Sequence, residues 1–198
     1  MDLSLALAKH IQVRGQWKQA DRIWVLLGTL FPLVKSLYRL TPKIWTYRNS
    51  TYFRVYSREL FSFKHNEIGL PIGRKRDMCF PRCIVREGVT SLSCLVSGLY
   101  DTDGSVKLRH DKSGDYPRIS IAQKSLHIIV DLKRMLSKSF GISGTMYRNE
   151  YYDSRVSKKV VRWFLDINGF RNFDLFVCTI GTRHPRVLEK IRKITSMR

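Results

Sequence analysis

Ten residues near the middle of the chain, Leu95-Val96-Ser97-Gly98-Leu99-Tyr100-Asp101-Thr102-Asp103-Gly104, combine an apolar helix, a Ser-Gly step and two aspartates one residue apart. Small residues such as Ser97 and Gly98 let two helices approach closely along a shared face. A carboxylate at the foot of such a helix then sits beside its counterpart on the twin. Two acids of this kind, with backbone carbonyls and phosphate oxygens, make a hard oxygen site suited to Mg²⁺. An ion in such a site activates a water and stabilises the leaving oxygen of a phosphodiester. The plainer reading is a core helix followed by an Asp-Thr-Asp-Gly turn, because Asp and Gly are ordinary turn residues. The rest of the chain weighs against it.

The composition favours a polyanionic partner. The 198 residues carry 36 Lys and Arg against 16 Asp and Glu, a formal net charge of +20, and such a balance points to nucleic acid before any fold. The basic residues are interleaved with aromatics, as in Lys43, Trp45, Tyr47 and Arg48, and again in Tyr147, Arg148, Tyr151, Tyr152 and Arg155. That mixture argues for a folded binding surface and against a disordered basic tail. A ribosome-associated protein would share the charge but would have no need of an acid pair after an apolar helix. With 43% hydrophobic residues the chain can bury a core as one domain or two small ones. No stretch of about eighteen apolar residues is present, so nothing is expected to cross a membrane. Met1 to Ala8 lacks the basic opening and cleavage site of a secretory signal, so the chain reads as a mature cytoplasmic protein. Cys79 and Cys83 form one close pair while Cys94 and Cys178 stand alone, which predicts reduced, partly buried thiols and no zinc site.

The elements that must position the motif follow from periodicity and punctuation. After it, Ser105–His110 reads as a strand, Asp111–Asp115 as a turn and Pro117–Ala122 as a returning strand. Ser125 caps a predicted helix to about Phe140, with Ile128, Ile129, Leu132, Met135 and Leu136 on one face. Strands are predicted at Gly144–Asn149 and Lys159–Ile167, then a helix at about Asn172–Ile180. The first half echoes this order. Lys9–Arg14 reads as a strand, Ala20–Leu37 as a helix, and Lys43–Tyr47 and Tyr52–Tyr56 as a strand pair joined at Asn49 and Ser50. Arg58–Glu67 closes the unit as a helix, and Glu67-Ile68-Gly69 matches Thr179-Ile180-Gly181.

Val96 to Gly104 resembles the signature of the LAGLIDADG homing endonucleases: the apolar start, the glycine, both aspartates and the terminal glycine are kept. The resemblance implies an α/β (α+β) fold, helices packed on a saddle-shaped antiparallel sheet, in two pseudo-repeats. Residues 1–88 would be a truncated first repeat without its motif helix, and residues 89–198 the second repeat. It further implies Mg²⁺ as cofactor, with Asp103 as the metal-binding catalytic acid, Thr102 beside it in the metal site, and Asp101 in support. Gln123 and Lys124 match the position of a polar residue that orders active-site water, and Lys124 could stabilise developing phosphate charge. Arg183 and Arg186 are weaker candidates for that role. The strand pairs would lie along the major groove of double-stranded DNA. Lys107, Arg109, Arg118, Ser120, Tyr147 and Arg148 would face the groove, while Val106, Leu108, Ile119 and Ile121 face the core.

Family members are two-motif monomers or one-motif homodimers. A lone motif helix would leave an apolar face in water, so Val96, Ser97, Gly98, Leu99 and Tyr100 are expected to pair with another helix. That helix would come from a second copy of the chain or from a separately encoded partner fragment; a degenerate relic that binds without cutting is the third possibility. The function implied is site-specific, metal-dependent hydrolysis of duplex DNA by an intron-encoded homing enzyme. The alternative is a maturase that grips structured intron RNA.

Overall fold

The computed structural model describes residues 31–47, 50–72, 78–112, 114–154 and 157–197. The Lys9–Arg14 strand and the Ala20–Leu37 helix up to residue 30 lie outside them. The chain falls into two compact units that divide between Gly69 and Leu70, earlier than the boundary after residue 88 expected from the sequence. The reason for the earlier division is packing: Phe80, with Met78 and Val85 against it, belongs to the core of the second unit.

Among the described residues the first unit shows a helix, a hairpin and a helix. Helix α1 (Phe31–Tyr38) buries Val34, strands β1 (Lys43–Tyr47) and β2 (Ser50–Arg54) pair antiparallel, and α2 (Arg58–Ser62) follows. Ser57 caps α2 by accepting from the Leu60 N–H, the satisfaction an N-terminal turn requires. The helix continues as a π-helical turn, Phe63–Glu67, so the expected span to Glu67 is kept with a change of winding. Val34, Phe53, Val55 and Leu60 form a small core. On the hairpin's other face Trp45 and Tyr52 stack at 5.2 Å, and the Arg54 guanidinium lies 4.6 Å over the Trp45 ring.

The second unit holds the larger core. A short helix, α3 (Arg82–Arg86), leads into α4 (Val89–Asp103), the motif helix. Strands β3 (Gly104–Asp111) and β4 (Gly114–Gln123) follow, then α5 (Leu126–Phe140), β5 (Thr145–Asp153), β6 (Lys158–Asn168), α6 (Phe170–Thr179) and α7 (Pro185–Ser196). The order helix, two strands, helix, two strands, helix is the predicted one. Helices α3 and α7 are additional. For α7 the signal was present, with Pro185 at its first turn and Val187, Ile191 and Ile194 buried at helical spacing.

The four strands run in the order β3-β4-β6-β5, every neighbour antiparallel. The alternation of side chains puts Val106, Ile119, Ile121, Leu165 and Ile167 on the helix-covered face, where all five are essentially buried. Helix α5 supplies Ile128, Ile129, Leu132, Met135, Leu136 and Phe140 to the same core. Ser125 caps it as predicted, accepting from the Ile128 N–H, and also donates to the Met78 carbonyl at 2.6 Å. The glycines of the echoed segments share one conformation: Gly69 has φ +76° and Gly181 φ +67°, the left-handed geometry that ends a helix at little cost in glycine. Cys79, Cys83, Cys94 and Cys178 form no disulfide, and all four are exposed, not partly buried as expected. Among the described residues no helix is long and apolar enough to cross a membrane.

Candidate functional site

The end of α4 is fixed by its own glycine. A Cβ on Gly104 would stand 1.9 Å from Tyr100 Cδ2 and 2.5 Å from the Tyr100 carbonyl oxygen, so only glycine lets the chain leave the helix directly into β3. Tyr100 is held from the other side by Phe176, the two rings meeting edge to face at 4.9 Å. Asp103, the last helical residue, is therefore presented at an immobile junction, with its side chain exposed.

The structure brings Asp103 and Gln123 together. The Gln123 amide donates to Asp103 Oδ2 at 2.9 Å across twenty residues of sequence, because β4 returns beside β3 and ends level with the helix foot. Thr102 Oγ1 lies 2.9 Å from the Leu99 carbonyl and 3.2 Å from Asp103 Oδ2, so its hydroxyl serves the helix end. Lys124 is exposed in the turn that follows. Asp101 is turned away: it accepts from the Thr182 hydroxyl and from the Arg183 N–H. The support expected of it goes to the loop between α6 and α7, where its donors lie. Among the described residues no group of three or more His, Cys, Asp or Glu is placed to hold a metal ion.

The expected helix-pairing set divides. Val96 and Tyr100 are 0% exposed in the unit's own core and cannot form a face for another helix. Leu99 is partly buried against the same core. Ser97 donates to the Gly181 carbonyl at 3.4 Å, and Ser93, one turn earlier, donates to that of Thr179 at 2.6 Å, so this edge of α4 packs on the end of α6. Gly98 alone of the five is exposed, and among the described residues nothing lies within 4 Å of where a Cβ would stand. It shares its side of the helix with exposed Thr90, Cys94 and Thr102.

The face of the sheet opposite the helices gathers most of the expected contact residues. The register pairs Lys107 with Arg118, Ser105 with Ser120, and Arg109 with Tyr116, and partners across an antiparallel pair point the same way. Ser120 is opposite Asp166 and Arg118 opposite Asn168, and Tyr147 is opposite Phe164. Lys107, Arg109, Arg118, Ser120 and Tyr147 thus share the open face. Arg148 does not. It pairs with Trp163, which packs against the core, and its guanidinium is bonded to Glu150 at 2.8 Å.

That face also holds residues the sequence reading passed over. Asp166, 4% exposed, accepts from Ser120 Oγ at 2.5 Å and pairs with Arg118 Nη1 at 3.1 Å. Asn168 Oδ1 accepts from Arg118 Nε at 3.1 Å. The Tyr147 ring stacks on Phe164 at 5.1 Å, and Arg162 lies 5.4 Å over Tyr151. Burial raises the Tyr147 phenol above its ordinary value, with the Asp166 charge and a bond to that carboxylate adding to the effect. The available signal for Asp166 was an acid between Leu165 and Ile167, a charge on the face opposite two core residues.

Comparison with known proteins gives the following. Residues 93–181 match the LAGLIDADG-like domain family. Among solved structures the chain is similar to I-DmoI in complex with DNA and Mn, at 18% identity and TM-score 0.59 over 88% of this chain and 81% of that one. A variant of I-DmoI with its target DNA in the presence of Mg gives 20% identity and TM-score 0.55 over 86% and 80%. The homing endonuclease I-WcaI bound to its DNA recognition sequence gives 12% identity and TM-score 0.50 over 93% and 76%. At these identities the likeness is one of fold. No curated protein sequence matches the chain.

Proposed function

The chain carries a LAGLIDADG-like domain over residues 93–181 within the LAGLIDADG homing-endonuclease fold, and from that premise we propose that it is a site-specific endonuclease that hydrolyses double-stranded DNA with Mg²⁺. The observation that carries this reading is the pairing of Asp103 with Gln123 at 2.9 Å at the foot of α4, beside a sheet whose open face presents Lys107, Arg109 and Arg118. An exposed acid aligned by a neutral amide, next to a basic face, suits a phosphodiester better than it suits a turn.

The donors fit the cation. Mg²⁺ is commonly held by one or two carboxylates, with water and substrate phosphate completing its shell. Asp103 is exposed and its Oδ2 accepts from the neutral Gln123 amide, so its charge is met by no arginine or lysine among the described contacts. Thr102 contributes through its carbonyl, one of the last-turn carbonyls a helix leaves without an internal partner. The ion, when bound, would supply an activated water and charge stabilisation at the leaving oxygen. Gln123 keeps the Asp103 carboxylate in one orientation, and Lys124, exposed just after β4, would offer an ammonium to developing phosphate charge. Asp101 anchors the Thr182–Arg183 loop to the helix foot and takes no part in holding the ion. A second acid would come from another motif helix seated on the exposed Gly98 side of α4, which a second copy of this chain can supply.

The test uses the full chain and a library of randomised duplexes. A subset should be enriched by binding, with an affinity that falls by orders of magnitude between about 50 and 200 mM salt as counterions are released. The enriched duplex should be cut in Mg²⁺ and left whole in EDTA. Binding indifferent to salt, or a bound duplex that Mg²⁺ leaves uncut, contradicts the proposal. Preferential binding of structured intron RNA would favour the maturase instead.

A further inference from the structure

Asp166 is a carboxylate 4% exposed on the open face of a sheet, in a chain of net charge +20. Buried to that degree it cannot meet a ligand itself, so whatever it does on this face it does through its partners. The chief partner is Arg118. Asp166 Oδ2 takes Nη1 at 3.1 Å, and Asn168, two residues along the same strand, takes Nε at 3.1 Å. One guanidinium is thus gripped at two of its nitrogens by neighbouring rungs of β6.

A guanidinium has five N–H donors, and these two contacts leave others unengaged, on a side chain that keeps 24% of its surface in solvent. The planar fork of arginine matches the O6 and N7 acceptors of guanine, a pairing that identifies this base in the major groove. A free arginine loses rotamer freedom when it makes that contact, whereas one already clamped does not. As a device for stability alone the pair would be a poor choice, since well-packed apolar residues commonly replace a buried ion pair without loss. We propose that Asp166, with Asn168, is a positioning residue that holds the Arg118 guanidinium ready for one guanine of duplex DNA, an inference that rests on the DNA-binding reading above.

Selection from randomised duplexes, followed by sequencing, reads base preference position by position. The wild-type chain is expected to enrich a motif with guanine at one position, and Arg118→Ala to erase the preference there. Asp166→Asn keeps the side chain's shape and can still accept from Ser120. It should lower the guanine preference at that same position by about tenfold or more, the scale of one bidentate contact, with other positions unchanged. Asn168→Ala should act at the same position more weakly, and it carries the test should Asp166→Asn prove poorly folded in a thermal melt. A merely structural Asp166 would weaken binding to every sequence alike. That result, a motif kept intact by Asp166→Asn and Asn168→Ala, or variants acting at a different position from Arg118→Ala, overturns the inference alone. A wild-type chain that enriches no motif overturns it together with the DNA-binding reading.

Discussion

Two acids of the second unit are held in opposite ways. Asp103, at the foot of α4, is exposed and accepts from a neutral amide, whereas Asp166, in mid-strand β6, is buried and paired with an arginine. A carboxylate whose charge meets no protein cation stays available for one from solution. A carboxylate matched to a guanidinium has its charge satisfied and serves to set geometry. Exposure and the charge of the partner, more than the presence of an acid, separate the residue suited to a metal from the residue suited to alignment. Asp101 is a third case: half-buried, it accepts from neutral donors, the Thr182 hydroxyl and the Arg183 N–H, and ties a loop to the helix.

The largest effect should come from moving the Asp103 junction itself. Gly104→Ala forces a methyl into the Tyr100 ring and carbonyl, and such overpacking should destabilise the unit by about 3 kcal/mol, read from the denaturant midpoint. The two acids should then differ in stability as they do in setting. Asp166→Asn leaves the largely buried Arg118 cation without its counter-charge and should cost about 2 kcal/mol, while Asp103→Asn, on the surface, should stay within about 0.5 kcal/mol of wild type. Tyr100 offers a change of the other sign. Its hydroxyl is buried with no hydrogen-bond partner among the described residues, so Tyr100→Phe should leave stability equal or raise it by up to about 1 kcal/mol.

The smallest effect concerns pH. Burial raises both Tyr100 and Tyr147 above the ordinary phenol value of 10.0, with Asp101 adding to the first and Asp166 to the second. An acid whose folded-state pKa is raised stabilises the fold fully below its unfolded value and loses that contribution as pH climbs through the folded one. The melting temperature should therefore hold up to about pH 10 and fall above it. Tyr147→Phe should make that alkaline fall shallower without abolishing it, since Tyr100 titrates in the same direction.

Much of the second unit was legible in sequence because its signals are local. The Ser125 cap, the apolar face from Ile128 to Leu136, and the motif from Val96 to Gly104 are read within a few turns of chain. What failed needed partners distant in sequence. Tyr147, Arg148 and Asn149 show no apolar alternation, so only pairing with β6 decides that Tyr147 faces outward and Arg148 faces the helix side. The α4 helix has apolar residues on more than one side, and sequence alone does not say which side meets its own sheet. Val96 and Tyr100 do so. Asp166 was missed since its meaning lies in Arg118 and Ser120, both on β4 and more than forty residues earlier. Gln123 was found because the motif itself indicated where to look.

On the proposed function, labour is divided within one unit, with the foot of α4 cutting and the open face of the sheet binding. Asp103→Asn on the duplex that the wild-type chain selects tests it most directly, with binding and cleavage measured side by side in Mg²⁺. The expected result is an affinity within about twofold of wild type, because base and phosphate contacts belong to the sheet, together with no cleavage. Cleavage that persists in the variant, or binding lost along with cleavage, would contradict the claim.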